Sequence, residues 1–577
     1  MGLVAEAQRR RVFRVAAAYL VVGWLLIQVA ATVLPQFELP PWAPRMVTLL
    51  VALGFPITLV MAWVFDVTPE GVKVDASAPG SKRLLVVAVA LSALALGWYF
   101  RDRPAAQPGS QPESSPRTAQ ATAAAAQAIP SIAVLPFVDM SQAGDQAYFS
   151  DGLSEELLNL LAQLPQLRVI ARTSSFSFKG KEVDVATIAK ALNVGHVLEG
   201  SVRKSGNTLR ITAQLIRASD SSHLWSQTYD RQLTDVFKVQ DEIAAAVVAA
   251  LQVQLLPQQT LAKRPHSANP ESYDQYLIGR QFSNRDNESD WRHAIAAFKR
   301  SIALDPNYAP AYASLGATQG SLADVMGDVA GMETAMRSSS TAIRLAPSLP
   351  DGYVSRGVAR MSANHDWAGA QKDLDRALEL DPGDSNVQVA HARLMMGIGR
   401  LEDAIAAARR GVQLDPLSSR AWSDLGRYLN AAGSYSEARD AMDRALEMSP
   451  ESSYALFHRG ETALLEKKFT EALVWFGKAD NGYGLAGISM AQHSLARDSQ
   501  SDQSLDNEIK QFAQSSAYQI AEAYAWRGEK DSAFQWLDRA VAQRDGGLSF
   551  IRCDPLIKNL RSDPRYGALL RRLGLPA

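Results

Sequence analysis

Residues 419–450 read SRAWSDLGRYLNAAGSYSEARDAMDRALEMSP, which contains two helix-like patterns in succession. One alanine and one proline of this stretch recur along the chain every 34 residues. The alanines are Ala370, Ala404, Ala438 and Ala472, and the prolines are Pro382, Pro416 and Pro450. A small residue allows two helices to approach where they cross, and proline ends the second helix because it cannot extend it. The spacing therefore predicts a stack of helix pairs.

A period of 34 residues with two helices per unit is that of the tetratricopeptide repeat. The array is expected over residues 270–577, beginning near Tyr273 and ending in a C-terminal cap. A longer step between Pro306 and Pro347 indicates an irregular second unit. Six or seven pairs are predicted, and their first helices should form the concave wall on which such arrays usually hold peptides.

Counting from Gly426 assigns positions to this inner wall. They are Val354, Val358, Met361, Val389, Arg393, Met396, Ser423, Arg427, Asn430, Phe457, Glu461 and Leu464. Arg393 and Arg427 are equivalents one repeat apart, and two guanidinium groups beside apolar side chains would suit a carboxylate or an acidic peptide. The alternatives are a solvated face or pairing with acidic side chains such as Glu461.

Composition argues against several classes of function. The chain has 577 residues with 59 Lys+Arg and 60 Asp+Glu, which gives a net charge of -1. The overall charge therefore gives no electrostatic reason to expect a nucleic acid as partner. The single cysteine, Cys553, excludes an internal disulfide framework and is expected to be a packed side chain. We find no assembled nucleophile, metal-ligand set or phosphate-binding loop, so the sequence predicts a non-enzymatic protein without a cofactor.

Three apolar runs near the N-terminus predict a membrane anchor over residues 1–100. They cover 12–34, 46–65 and 84–100, and arginines precede the first of them. The charge distribution predicts a multi-pass bacterial inner-membrane protein, in contact with lipid, with a cytoplasmic N-terminus and periplasmic C-terminal domains. Residues 101–130, rich in Pro, Ala, Ser and Gln, are expected to be a disordered linker.

A small α/β domain is expected over residues 131–257. SIAVLPF, from Ser131, reads as a buried strand, and the segments after it predict the order βαβαβββα, with a hairpin turn at residues 205–207. Asp151, Glu155 and Glu156 fall in the first turns of a predicted helix that begins at Leu153, where acidic side chains offset the helix dipole.

The stretch SSFSFKGK, residues 174–181, reads as a loop that could contact a partner. The side chains that would make this contact are Phe176, Phe178, Lys179 and Lys181. The alternative is that the two phenylalanines anchor the loop in the core.

The blocks IAVLPF, YFSDGLSEELLNLL, VIARTSSFSFKGK and HVLEGSVRKSGNTLRITAQLI together resemble a TolB-amino-terminal-like domain. The resemblance implies a bacterial signalling protein, because such domains precede tetratricopeptide repeats there and are often linked to an adenylate cyclase or a CadC-type activator. Neither effector is present in this chain, so cyclase activity and DNA binding are not implied.

The expected fold class is therefore multidomain α plus α/β, with three transmembrane helices, a small TolB-N-like α/β domain and a tetratricopeptide superhelix. The expected function is the presentation of these periplasmic domains to a protein or peptide. The alternative is a sensory relay that acts with a separate cytoplasmic adenylate cyclase or transcription regulator.

Overall fold

The computed structural model describes residues 19, 22, 26, 65–68, 71–74, 129–253, 265–285, 287–479 and 482–576. The chain divides into two compact units, residues 1–124 and 125–577. In the first unit, strands β1 (Phe65–Thr68) and β2 (Gly71–Val74) pair antiparallel, with Phe65 opposite Val74.

The structure corrects the membrane prediction. None of the described helices combines the length and the apolar character that a membrane crossing needs. The longest of them has 18 residues, whereas a transmembrane helix needs about 20 predominantly apolar ones. The prediction of three transmembrane helices, and with it the multi-pass inner-membrane location, is therefore wrong for the part of the chain that the structure describes. Almost all of the predicted spans and of the linker lie outside the described residues.

The second unit begins with an α/β region. Its strands are β3 (Ser131–Val134), β4 (Val138–Asp139), β5 (Arg168–Val169), β6 (His196–Ser205), β7 (Thr208–Arg217) and β8 (His223–Gln232). Its helices are α1 (Ala147–Ala162), α2 (Arg172–Phe176), α3 (Val185–Leu192) and α4 (Val236–Ala250). The sheet order is β5-β3-β6-β7-β8, with β4 also beside β6, so parallel pairing around β3 gives way to an antiparallel meander.

The local sequence explains this sheet. Ile132, Ala133 and Val134 of β3 are buried completely, as expected of a central parallel strand. Strands β6 and β7 meet with Ser205 opposite Thr208, and Gly206 takes the positive φ of 58° that the tight turn needs.

Sixteen helices then form eight consecutive pairs within residues 270–543 of the described chain. They are α5 (Pro270–Ser283), α6 (Glu288–Leu304), α7 (Ala309–Met326), α8 (Val329–Leu345), α9 (Pro350–Asn364), α10 (Trp367–Leu380), α11 (Ser385–Gly397), α12 (Leu401–Leu414), α13 (Ser419–Ala432), α14 (Tyr435–Met448), α15 (Ser453–Leu465), α16 (Phe469–Phe476), α17 (Gly482–Ser494), α18 (Asp498–Phe512), α19 (Ala517–Trp526) and α20 (Lys530–Gln543).

The repeat signals lie where close packing requires them. Ala370, Ala404, Ala438 and Ala472 are all completely buried. The long step after Pro306 arises because α7 and α8 are extended to 18 and 17 residues. The count of six or seven pairs was too low, since α17 and α18 form a pair that no proline closes.

The chain ends in residues 545–576, which we call the C-terminal segment. It contains short 3₁₀ turns at Gly546–Phe550 and Lys558–Leu560 and the helix α21 (Pro564–Arg572). Ile551, Ile557 and Leu560 of this segment are completely buried in the same core as Met361 and Met396. A second core joins the sheet to the first helix pair, through Tyr273 and Phe298.

Candidate functional site

The predicted inner wall is divided into two parts by the C-terminal segment. Around α7, α9 and α11 a cavity of about 400 Å³ remains, which we call the open groove. At α13 the wall is covered, because the 3₁₀ turn Gly546–Phe550 lies against α9, α11 and α19 and its Phe550 stacks on Arg427 of α13. The open groove can receive another molecule without displacing part of this chain.

The open groove has an apolar floor and one cation of particular interest. Val354, Val358 and Ala359 of α9 line it, together with Arg393 of α11. Arg393 is half-buried, and within the described residues its guanidinium group makes no hydrogen bond or ion pair. By contrast, Arg356 of the same array donates to Asp373 over 2.7 Å. Arg393 is thus available for a carboxylate.

A second cavity, of about 780 Å³, lies between the α/β region and the repeats. It shares Arg280, Asp351 and Asp384 with the open groove, so the two form one continuous depression. Such volumes are within the range of ligand-binding pockets, about 300–1,000 Å³. We call this second cavity the interdomain cleft.

An ion pair and a hydrogen bond join the two sides of the interdomain cleft. Glu155 of α1 accepts hydrogen bonds from Arg172, over 3.2 Å, and from Arg280 of the first repeat. Asp151 pairs with Lys179, and Tyr276 donates to Glu156 over 3.3 Å. Because α1 begins at Ala147, these acids lie beyond its first turn, and the helix-dipole interpretation was wrong. Glu155 and Glu156 join the α/β region to the array instead, whereas Asp151 pairs inside the α/β region.

The stretch SSFSFKGK is partly helical, since α2 extends to Phe176. Phe176 carries the guanidinium of Arg172 over its ring, 4.3 Å from the ring centre, and lines the interdomain cleft together with Lys179. Phe178 packs against the small core around Ile170 and Ile188. Lys181 is exposed. The four side chains therefore do not form one surface.

Most of the other predicted wall positions are buried. Val389 is half-buried, whereas Met361, Met396, Ser423, Asn430, Phe457, Glu461 and Leu464 are buried. The guanidinium of Arg427 lies 3.5 Å from the centre of the Phe550 ring. The main-chain oxygen of Met396 accepts the thiol of Cys553 over 3.4 Å.

A polar cluster lies beneath this cover. Asn430 donates to the carbonyl oxygen of His458 over 3.1 Å, and the His458 ring contacts Glu461 over 2.5 Å. Burial raises the pKa of Glu461 to about 7, and burial together with the charge of Arg427 holds the pKa of His458 well below its usual value. Within the described residues no group of three side chains is arranged as metal ligands. The cluster thus pairs most of its polar groups inside the fold, whereas Nε2 of His458 is buried without a hydrogen-bond partner within the described residues.

Sequence reasoning missed the residues that cover the wall. Phe550 and Asp554 follow the last helix pair and have no place in the repeat register, so no periodic signal marks them. Asp554 accepts the hydroxyl of Tyr518 over 2.7 Å. Trp367, which starts α10, was also missed, although a large aromatic residue at the start of an amphipathic helix is a signal for packing.

Family comparisons agree with the helical array. The tetratricopeptide repeat family matches residues 362–419, 389–453 and 423–482. The chain therefore contains tetratricopeptide repeats. Residues 127–246 match the second domain of HilA/YgeH-like transcriptional regulators. The predicted TolB-like identity of this region is not shown.

One curated relative is 42% identical over 189 residues, the "Putative adenylate cyclase 3" of Rhizobium meliloti (strain 1021). The match covers 33% of this chain and 32% of the relative, so the chain spans about a third of that protein's length. Solved structures with a similar fold include YrrB, a TPR protein with an unusual peptide-binding site, at 19% identity over 33% of this chain and 96% of that one, with a TM-score of 0.26. PilF of Pseudomonas aeruginosa is 16% identical over 36% and 93% of the two chains, with a TM-score of 0.30.

Proposed function

We propose that the chain is a non-enzymatic protein-binding scaffold whose open groove holds an extended peptide segment and anchors one of its carboxylates at Arg393. The observation that carries the proposal is that Arg393, a half-buried residue, lines a 400 Å³ cavity and has no ion-pair partner within the described residues. A buried charge is costly unless it is paired, so a carboxylate from a partner would gain a charge-assisted hydrogen bond there.

The interdomain cleft extends this surface. Its cations Arg172, Arg280 and Lys179 already pair with Glu155 and Asp151, and Asp351 and Asp384 add further acidic side chains to its wall. An extended peptide could therefore place polar or neutral residues in the cleft and a carboxylate at Arg393.

The proposal is tested by peptide binding. Fluorescence anisotropy with a panel of labelled acidic peptides would compare the wild type with Arg393→Glu and with Arg376→Glu, an exposed arginine on the second helix α10 that pairs with Glu379. We expect Arg393→Glu to weaken binding at least about tenfold, since it replaces attraction by repulsion, and Arg376→Glu to leave it unchanged. Binding that is equally strong in all three proteins would reject the role of the open groove.

A second candidate is a relay that acts with a separate adenylate cyclase or transcription regulator. Two findings favour it: the name of the 42% identical relative and the match of residues 127–246 to a domain of transcriptional regulators. Its test is a two-part assay with purified proteins. Addition of this chain should change the rate of cyclic AMP formation by a partner cyclase or the DNA affinity of a partner regulator, whereas the chain alone should form no cyclic AMP.

A further inference from the structure

The C-terminal segment occupies one repeat position of the inner wall as a peptide ligand would. Its Phe550 stacks on Arg427 with 3.5 Å between the guanidinium carbon and the ring centre. Its Asp554 also acts electrostatically on Arg427. The C-terminal segment thus stacks an aromatic ring on Arg427 and places a carboxylate four residues later whose charge acts on it, while Arg427 also donates to the hydroxyl of Tyr454 over 3.4 Å.

Arg393 is the equivalent of Arg427 one repeat earlier. The two residues are 34 positions apart and occupy the same place on the first helices α11 and α13. The difference is in what faces them, since Arg427 is covered by Phe550 whereas Arg393 lines the open groove. Equivalent side chains in stacked repeats present similar geometry to a ligand.

The surroundings of Arg393 suit an aromatic ring. Val354 and Val358 line the same cavity and supply apolar contacts. Cation–π stacking on a partly buried arginine favours an aromatic residue over an aliphatic one of similar size. The C-terminal segment also borders the open groove, because its 3₁₀ turn Gly546–Phe550 lies against α9 and α11. A ligand at Arg393 would therefore continue an interface that the fold already contains.

We propose that the partner peptide of the open groove resembles the chain's own C-terminal segment and carries an aromatic residue that stacks on Arg393, followed four positions later by an acidic residue. The inference rests on the proposed function and specifies its ligand. A partner segment of this kind would repeat at Arg393 the contact that Phe550 makes at Arg427.

The test uses a synthetic peptide added to the full-length chain. The probe is a fluorescent peptide of residues 546–557, GGLSFIRCDPLI, with Cys553→Ser to prevent oxidation. We expect it to bind the wild-type protein and to lose about five- to tenfold in affinity after Phe550→Ala in the peptide, the size of a partly desolvated cation–π contact. Asp554→Asn in the peptide should weaken binding by a smaller factor.

Protein variants locate the binding site. Arg393→Gln should remove the effect of Phe550→Ala in the peptide, whereas Arg376→Gln should not change any affinity. Probe affinity that is unchanged by Arg393→Gln, with the full effect of Phe550→Ala retained, would overturn the inference, because the probe would then be exchanging with the C-terminal segment at Arg427. Absence of probe binding would also overturn it. In either case, acidic peptides that still depend on Arg393 would leave the proposed function standing.

Discussion

Trp367 donates its indole N–H to the main-chain carbonyl oxygen of Leu573, with 2.6 Å between the nitrogen and oxygen atoms. The two residues lie 206 positions apart, at the start of α10 and just after α21. A second contact supports this closure, since Arg544 donates to the carbonyl oxygen of Ala363 over 2.9 Å. The end of the repeat array is thus fastened to its third helix pair, and the C-terminal segment is held over the inner wall.

Replacement of Trp367 by phenylalanine should lower the free energy of unfolding by about 1–3 kcal/mol. The reason is that the buried Leu573 carbonyl would lose its partner while most of the apolar packing is kept. Urea unfolding would measure the loss, with Trp536→Phe as the control, because the Trp536 indole N–H makes no hydrogen bond within the described residues. Equal losses in the two variants would show that the hydrogen bond does not fasten the array.

The repeat array was predictable because its signals are local and periodic. An alanine at every crossing and a proline after every second helix mark the pairs from α9 to α14, and Ala370 and Ala438 lie in the core as the pattern requires. The pair α17 and α18 carries neither signal in register, so the count was one or two pairs short. A periodic pattern identifies a repeat only where the alanine at the helix crossing and the proline after the second helix are both present in register.

The candidate site was predictable only in part, for a physical reason. Repeat register identifies which face of a helix points inward, and it placed Arg393 and Arg427 on the same wall. It does not identify what covers that wall. The contact of Arg427 with Phe550 joins positions 123 residues apart through tertiary packing, which no local pattern encodes. The two equivalent arginines consequently have different environments.

Removal of the Ser174 hydroxyl should loosen the attachment of the α/β region to the fourth repeat. Ser174 donates its N–H and hydroxyl to Asp415, over 3.1 and 2.5 Å, and accepts the N–H of Leu417 over 2.8 Å. Ser174→Ala would leave the Leu417 N–H without this acceptor, so we expect a loss of about 1–3 kcal/mol in unfolding free energy. Thermal and urea unfolding would compare it with Ser226→Ala on the exposed face of β8. A variant as stable as Ser226→Ala would rule out this attachment as a source of stability.

Stability should fall as pH rises from about 4.5 to about 8, because of Glu508. Burial raises the pKa of this carboxyl to about 8 in the folded chain, so the folded state holds a proton that the unfolded state has released in this window. The unfolding free energy then decreases with rising pH, by at most about 1.4 kcal/mol per pH unit. The stabilising contribution of the protonated Glu508 is fully present below the pKa of this carboxyl in the unfolded chain. It is lost as the pH rises through the pKa of the same carboxyl in the folded chain.

Glu508→Gln should remove this part of the pH dependence and be more stable than the wild type at pH 8. Urea unfolding at pH 5 and pH 8 would measure the difference, and Glu333→Gln, an exposed residue on α8, serves as the matched control. Because Glu461 also has a raised pKa, the difference between variant and wild type is the quantity to compare. An unchanged slope in Glu508→Gln would contradict a protonated Glu508.

Replacement by alanine should change the free energy of unfolding in opposite directions at two glycines of helix α7. A Cβ at Gly316 would lie 2.3 Å from Ser339 Oγ and 3.0 Å from the carbonyl oxygen of Ala335, whereas a Cβ at Gly320 would meet only the Ala335 Cβ at 3.8 Å. Gly316→Ala should therefore separate α7 from α8 and cost about 1–3 kcal/mol by overpacking. Gly320→Ala should stabilise the helix by about 0.5–1 kcal/mol, since alanine loses less backbone entropy on folding. Thermal unfolding of the two variants would check the signs, and a stabilised Gly316→Ala would show that the first and second helices of this pair can move apart at no cost.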